Sequence, residues 1–110
     1  MRSDCAVANT LDLVGDRWSL LIVRDLLATT EMRYGDFLGG GEHIPTNTLA
    51  DRLKKLEQAG IVARELYSEH PPRAVYRLTQ AGRELGLVVD AMATWGVRHL
   101  PGTRRITPGA

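Results

Sequence analysis

The side chains best suited to chemistry lie on one face of a predicted helix over residues 45–60. Leu49, Leu53 and Leu56 recur at the spacing of a buried helical stripe, and Gly60 is a stop signal. On the opposite face, an amide can pair with a base edge in a DNA major groove, and lysines can neutralise phosphates. A polar face that simply meets water is the alternative. The candidate contact residues are Thr46, Asn47, Thr48, Asp51, Lys54 and Lys55.

Two β-leaning runs, residues 61–67 and 74–79, follow this helix and are separated by a turn segment over 68–73. A helix followed directly by a hairpin is the order of winged helix-turn-helix proteins. In that arrangement the hairpin tip reaches phosphates or the adjacent minor groove, where arginine is favoured. Arg73, at the predicted tip, is therefore the candidate wing contact.

The sequence shows no pattern typical of a catalytic site, a metal site or a nucleotide-binding loop, and its overall charge is uninformative about DNA binding. The 110-residue chain has 14 basic and 13 acidic residues, so its net charge of +1 decides neither for nor against nucleic acid. The single cysteine, Cys5, excludes an intrachain disulfide. No pair among His43, His70 and His99 has metal-ligand spacing, and the triple glycine at 39–41 lacks the features of a phosphate loop. We therefore predict no catalytic residue, no metal and no cofactor.

The remaining apolar patterns predict the elements that position the polar helix. Helices are predicted over residues 5–13 and 17–28, a short strand over 31–33 and a short helix over 34–38. A glycine-rich turn then leads into the polar helix. The second helix is apolar on most sides and should form the centre of the core.

A last long helix is predicted over residues 80–100, is capped by Thr79 and carries an apolar stripe. In a domain this small, few other residues remain to bury that stripe. We expect it to join the first helix in a two-fold homodimer interface, and packing back onto its own domain is the alternative. The predicted interface residues are Val7, Leu11, Leu85, Val88, Val89, Met92 and Trp95. Four side chains are candidates for an apolar effector pocket, unless they are plain core: Trp18, Tyr34, Met92 and Trp95.

No apolar run approaches the roughly 20 residues of a membrane-spanning helix, and the N-terminal residues lack the apolar region of a secretory signal. We therefore expect a cytoplasmic protein. Its predicted organisation is one domain over residues 5–103, followed by a flexible tail over 104–110.

Several short motifs follow one another along the chain in a specific order. They are Cys5–Val7, Leu11–Trp18, Ile44–Leu53, Leu56–Val62, Pro71-Pro72, Val75–Gly82 and Trp95-Gly96. Together, from Cys5 to Leu100, they resemble the HxlR-type winged helix-turn-helix regulators, a bacterial group related to MarR. The resemblance implies a mainly α fold with a small β-hairpin wing (α+β), and N- and C-terminal helices that form a dimer. It also implies a DNA-binding transcription regulator.

Cys5 matches a position at which some members of this family respond to oxidants or electrophiles. A thiol at a helix N-terminus is favoured as the reactive thiolate. With one cysteine per chain, a switch would need a disulfide between protomers or a thiol adduct. The alternative is a small apolar residue at a helix start.

Together these patterns predict a homodimeric regulator, a repressor in most such families, that binds a pseudo-palindromic operator in double-stranded DNA and is not an enzyme. Its predicted signal is an oxidant, an electrophile or a small molecule. The alternative is a winged-helix module that binds protein and has no specific DNA site.

Overall fold

The computed structural model describes residues 3–106, which form helices around a small antiparallel sheet. The helices are α1 (Ala6–Val14), α2 (Ser19–Ala28), α3 (Tyr34–Leu38), α4 (Thr46–Gln58), α5 (Gln80–Glu84) and α6 (Gly86–His99). The strands are β1 (Met32–Arg33), β2 (Val62–Glu69) and β3 (Pro72–Leu78). The predicted mainly α fold with a β-hairpin wing is confirmed.

The three strands form one sheet in the order β1-β3-β2, with every pair antiparallel. Along the hairpin, residue pairing runs from Val62 opposite Leu78 to Glu69 opposite Pro72. Only His70 and Pro71 are left to turn the chain, so the longer turn predicted over 68–73 is wrong. A register shift between residues 66 and 68 lets the strands keep pairing almost to the tip.

The core forms where α2 and α4 pack against the sheet. Burying each large aliphatic side chain contributes roughly 1.5–3 kcal/mol, so this cluster is a main source of stability. The predicted central role of the second helix and the predicted stripe on the polar helix are both confirmed. The buried side chains of these two helices are Ile22, Val23, Leu26, Leu49, Leu53 and Leu56.

The junction between α1 and α2 is four residues long, one more than the sequence pattern predicts. Gly15 follows the last residue of α1, as expected, and its N–H donates to the carbonyl of Leu11 at 2.8 Å. The carboxylate of Asp16 accepts the backbone N–H groups of Trp18 and Ser19 at 3.0 and 3.1 Å, so α2 begins at Ser19 and not at residue 17.

The predicted last helix is in fact two helices. Thr79 caps the first of them as expected, because its hydroxyl accepts the N–H of Gly82 at 3.1 Å. The N–H of Leu85 then bonds the carbonyl of Gly82, three residues back, which tightens the last turn and ends α5. Helix α6 starts at Gly86, which lies beside the side chain of Leu27 of α2.

Part of the predicted tail is described. Arg105 lies beside α6, where it pairs with Asp90 at 2.9 Å and donates to the hydroxyl of Thr94 at 2.8 Å. Residues 107–110 of the predicted tail lie outside the described residues. Between residues 3 and 106, no helix has the length and apolar character needed to cross a membrane.

Candidate nucleic-acid interface

The outer face of α4 is polar and open to solvent. Asn47, Asp51 and Lys54, spaced by four and three residues, lie on the side opposite the buried leucines and are exposed. Thr46 is exposed as well, whereas Thr48 and Lys55 are half-buried at the edges of the face. All six candidates therefore lie on one helix, and four of them are exposed.

The N-terminal end of α4 is held against α3. The Tyr34 hydroxyl donates to the carbonyl of Thr46, and Asn47 Oδ1 accepts the N–H of Thr48 at 3.0 Å. With Oδ1 used within the helix, the Nδ2 group of Asn47 is the part of the amide left to donate to a partner. The first turn of α4 is thus fixed in place before any ligand arrives.

Arg52 crosses from α4 to the junction between α1 and α2. Its Nε donates to Asp16 Oδ2 at 2.9 Å, and its Nη1 pairs with the neighbouring Asp51. Burial alone would raise the pKa of Asp16, but hydrogen bonds from Ser19, Trp18 and Arg52 outweigh it and hold the pKa below its usual value. Asp16 is therefore a charged partner for Arg52 at neutral pH.

A basic cleft lies between α3 and the hairpin, next to the start of α4. Its volume is about 430 Å³, and three arginines and three tyrosines line it together with one carboxylate, that of Asp36. The guanidinium of Arg33 lies 5.0 Å from the ring centre of Tyr67, a cation–π arrangement. None of the three arginines forms an ion pair with another residue in the range 3–106. The six side chains are Arg33, Arg64, Arg73, Tyr34, Tyr67 and Tyr76.

Arg77, on the same hairpin, is in a different electrostatic state. Its guanidinium bonds Glu31 and Glu65, each at 3.1 Å, and these two contacts raise its pKa. Its charge is already compensated, so the free positive charge of the sheet lies on the cleft side.

Apolar side chains on α1 and α6 are exposed to an unusual degree. Val7 and Leu11 are 67% and 59% exposed, and Met92 and Trp95 are 56% and 59% exposed. Val88, one turn before Met92, is exposed as well. Exposed apolar clusters of this kind are typical of surfaces that meet another protein.

The thiol of Cys5 lies at the start of α1. Its Sγ accepts the N–H of Ala8 at 3.5 Å, which makes Cys5 the N-terminal cap of the helix. The residue is exposed. A thiol so placed is accessible to a reagent and lies at the positive end of a helix dipole.

A family model described as HxlR-like helix-turn-helix matches residues 13–104, most of the chain. The chain belongs to the HxlR-like helix-turn-helix family. The motif-based resemblance and the geometry of α3, α4 and the wing agree with this membership.

Relatives of this HxlR-like chain are transcription regulators. It is 41% identical over 96 residues to an HTH-type transcriptional regulator of Mycobacterium tuberculosis, a match that covers 87% of this chain and 60% of that protein. The chain thus spans about three fifths of the length of this relative. Among solved structures, the redox regulator HypR in its oxidized form gives a TM-score of 0.77 at 32% identity, covering 93% and 100% of the two chains. The reduced form of YodB from Bacillus subtilis gives 0.74 at 31% identity, covering 90% and 97%.

Leu85 and Val89, two of the predicted interface residues of the HxlR-like chain, are half-buried and pack against the core of their own chain. Leu85 lies between α5 and α6, and Val89 lies on α6. The four aromatic and methionine residues of the predicted effector pocket do not share a cavity. Trp18 lines a cavity of about 20 Å³ beside the glycine turn, Tyr34 lines the basic cleft, and Met92 lines a groove of about 440 Å³ between α2 and α6. Trp95 is exposed and contacts the ring of His99, with ring centres 5.1 Å apart and ring planes tilted by 40°.

The basic cleft also contains two arginines that no sequence motif marks as site residues. Arg33 and Arg64 share the basic cleft with the predicted Arg73, although they lie on three different strands. Only the strand register brings them together, with Arg33 opposite Val75 and Arg64 opposite Tyr76. Counting positive charges along the sequence marks these arginines as basic but gives no sign that they converge.

Among residues 3–106, no three side chains of the metal-binding types come together.

Proposed function

We propose that this protein is a homodimeric transcription regulator that binds a pseudo-palindromic operator in double-stranded DNA and represses the genes beside it. The observation that carries the proposal is the exposed polar face of α4 lying next to a cleft lined by three arginines that form no ion pair within residues 3–106. A groove reader and a phosphate-binding cleft on one side of a small domain are what a duplex requires.

In this proposal α4 enters the major groove. The free Nδ2 of Asn47 donates to an acceptor on a base edge, and Asp51 accepts from the amino group of cytosine. Lys54 and Lys55 neutralise phosphates, and Thr46 and Thr48 contact the backbone near the helix start. Arg73, with the other two arginines of the basic cleft, follows the phosphate backbone towards the minor groove.

The exposed apolar residues of α1 and α6 support the dimer. Contact with a second copy would bury apolar surface, and each Å² removed from water contributes about 25 cal/mol of stabilising free energy. The side chains that would be buried are Val7, Leu11, Val88, Met92 and Trp95. A two-fold axis at this surface gives two copies of α4, and copies about 34 Å apart would match successive turns of the major groove.

Cys5 is the proposed sensor. HypR was solved as an oxidized redox regulator and YodB after treatment with diamide, and both resemble this chain at about 30% identity. In the proposed switch, the Cys5 thiols of two protomers each lose a proton and an electron to diamide, which is reduced, and an S–S bond forms between the chains. The exposure of Cys5 at the start of α1, beside the proposed dimer surface, supports this step.

The proposal makes the protein a non-enzyme that acts in the cytoplasm, where bacterial chromosomal DNA lies. Its relatives are named as transcription regulators, which supports this class. An effector pocket built from Trp18, Tyr34, Met92 and Trp95 is not part of the proposal, because these residues are spread over separate sites.

The test starts from an operator selected by the protein from random DNA. Asn47→Ala should weaken this operator by about 1–3 kcal/mol and leave random DNA nearly unchanged, because the amide reads a base. Lys54→Ala should weaken both kinds of DNA and flatten the dependence of log Kd on log salt, because the ammonium contacts phosphate. Both affinities are measured by mobility shift over a salt series.

Arg98→Ala is the matched control, since it removes an exposed positive charge that lies on α6 and does not line the cleft. It should change neither affinity nor salt slope. Failure to enrich any sequence would contradict the proposal and favour a winged-helix module that binds protein. Equal loss on operator and random DNA for Asn47→Ala would remove it as a base reader.

A further inference from the structure

The link between α1 and α2 has almost no freedom to bend. A side chain at Gly15 would place its Cβ 2.4 Å from the carbonyl oxygen of Leu11, so the turn that ends α1 closes with no room for a Cβ. Val14, the last residue of α1, is buried, and Ser19, the first residue of α2, is fully buried. The four residues between them are therefore held from both ends.

Asp16 is the centre of the hydrogen bonding at this junction. One carboxylate oxygen, Oδ2, accepts from the N–H groups of Trp18 and Ser19, and Oδ1 accepts from the Ser19 hydroxyl. Oδ2 also accepts from Nε of Arg52, 36 residues later in the chain. A single side chain thus caps α2 and receives a side chain from α4.

Arg52 reaches this junction from the middle of α4. Its position lies between the buried leucine stripe and the exposed face that carries Asn47 and Lys54. The guanidinium is half-buried and contacts Asp51 as well as Asp16, so a planar group with fixed donors is held at two points. Rotation of α4 about its axis would break the contact with Asp16.

We propose that Asp16 and Arg52 are positioning residues that tie α4 to the α1–α2 junction. Through this tie, the arrangement of the helices at the dimer surface sets the tilt and separation of the two copies of α4. The inference rests on the proposed function, because it concerns how two copies read one operator. It goes further in assigning a role in site selection to two residues that need not touch DNA.

Another ion pair near α4 is attached differently. Arg24 of α2 pairs with Glu42 at 3.0 Å, and Glu42 belongs to the turn before α4 and not to the helix itself. The Arg52 contact is the ion pair through which a side chain on α4 meets the α1–α2 junction in the described range. The contact between Arg52 and Asp16 is therefore the one that the test variants remove.

The first experiment measures the distance between the two copies of α4 in the free protein. A spin label is attached at Gln58→Cys, on the exposed last residue of α4, in a chain that also carries Cys5→Ser. Double electron–electron resonance then gives the distribution of label separations in the dimer. Asp16→Asn and Arg52→Gln should each broaden this distribution at least about twofold. Asn retains a side-chain oxygen able to cap α2, and Arg52→Gln leaves the cap untouched, so neither variant should lose the fold.

Asp90→Asn is the control, since it removes the ion pair between Asp90 of α6 and Arg105, neither of which lies on α4 or at the α1–α2 junction. It should leave the distribution unchanged. An unchanged width in both Asp16→Asn and Arg52→Gln would overturn the inference alone. If the labelled parent protein gave no measurable distance between two labels, the proposed dimer would be contradicted, and the inference with it.

The second experiment is a double-mutant cycle on the selected operator. Asp16→Asn and Arg52→Gln should each weaken it about tenfold, and the double variant should be no weaker than the weaker single variant, because the two residues act through one contact. The affinity of each variant for random DNA should stay within about twofold of the parent's affinity. The variants should also discriminate less than the parent does against operators that have one base pair inserted between the half-sites. Multiplicative losses in the double variant, equal losses on random DNA, or an unchanged spacing preference would each contradict a positioning role.

Discussion

Three polar side chains within two turns of α4 differ in the contacts that they can make: Asn47, Arg52 and Lys54. Asn47 has a free amide donor, and Lys54 has a solvated positive charge. Arg52 is committed to Asp16 and Asp51 and is not free to follow a phosphate. Helical periodicity alone predicted the exposed positions of Asn47 and Lys54. It could not predict the commitment of Arg52, since the partner is 36 residues away.

The residue-scale prediction concerns Cys5. Diamide should weaken operator binding by the parent protein at least about tenfold, within the usual range of coupling between two sites. It should have no effect on Cys5→Ser, because serine offers no thiol to oxidise. Binding is measured by fluorescence anisotropy, and a non-reducing gel should show a dimer-sized band in the parent alone. Dithiothreitol should restore binding, and an identical response in both proteins would remove Cys5 as the sensor.

At the scale of elements, α4, the hairpin and α5 are locked together at one point. The Thr79 hydroxyl bonds the carbonyl of Gly60 at 2.6 Å, and the carbonyl of Ile61 accepts the N–H of Thr79 at 3.1 Å. This joins the end of the wing to the end of α4. The sequence predicted the order of these elements and the cap at Thr79. It could not predict the break at Leu85, because local apolar spacing continues smoothly through residues 80–100 although the chain tightens there.

A substitution at Gly82 tests how closely the backbone of α5 approaches Ile61 and Leu78. A Cβ there would lie 2.2 Å from the carbonyl oxygen of Ile61 and 2.9 Å from a methyl group of Leu78. Gly82→Ala should therefore lower the free energy of unfolding by about 1–3 kcal/mol, despite the higher helix propensity of alanine. Urea unfolding followed by circular dichroism measures the change. Gly35→Ala, in α3, is the control, because no atom lies within 4 Å of its added Cβ. Equal stability of the Gly82 variant and the parent would show that the approach is not tight.

At the scale of the whole molecule, the basic cleft and the apolar faces have different origins. The apolar faces follow from helical spacing, so Val7, Leu11, Met92 and Trp95 were predicted as candidate interface residues from the sequence, and they are exposed. Leu85 and Val89 follow the same spacing but are half-buried against the core of their own chain, because spacing alone cannot say which apolar positions meet that core. The cleft depends on strand register and could be predicted only in part, from Arg73.

The most direct test of the account is the number of chains bound to one operator, measured by sedimentation velocity with a labelled duplex. The parent protein should bind as two chains per duplex. Trp95→Glu should place charge in the proposed interface, leave single chains and weaken the operator at least about 100-fold, because the two half-sites are no longer bound together. Arg98→Glu, an exposed charge change on the same helix, should preserve the dimer. One parent chain per operator, or a Trp95→Glu protein that still binds as a dimer with full affinity, would contradict the central claim.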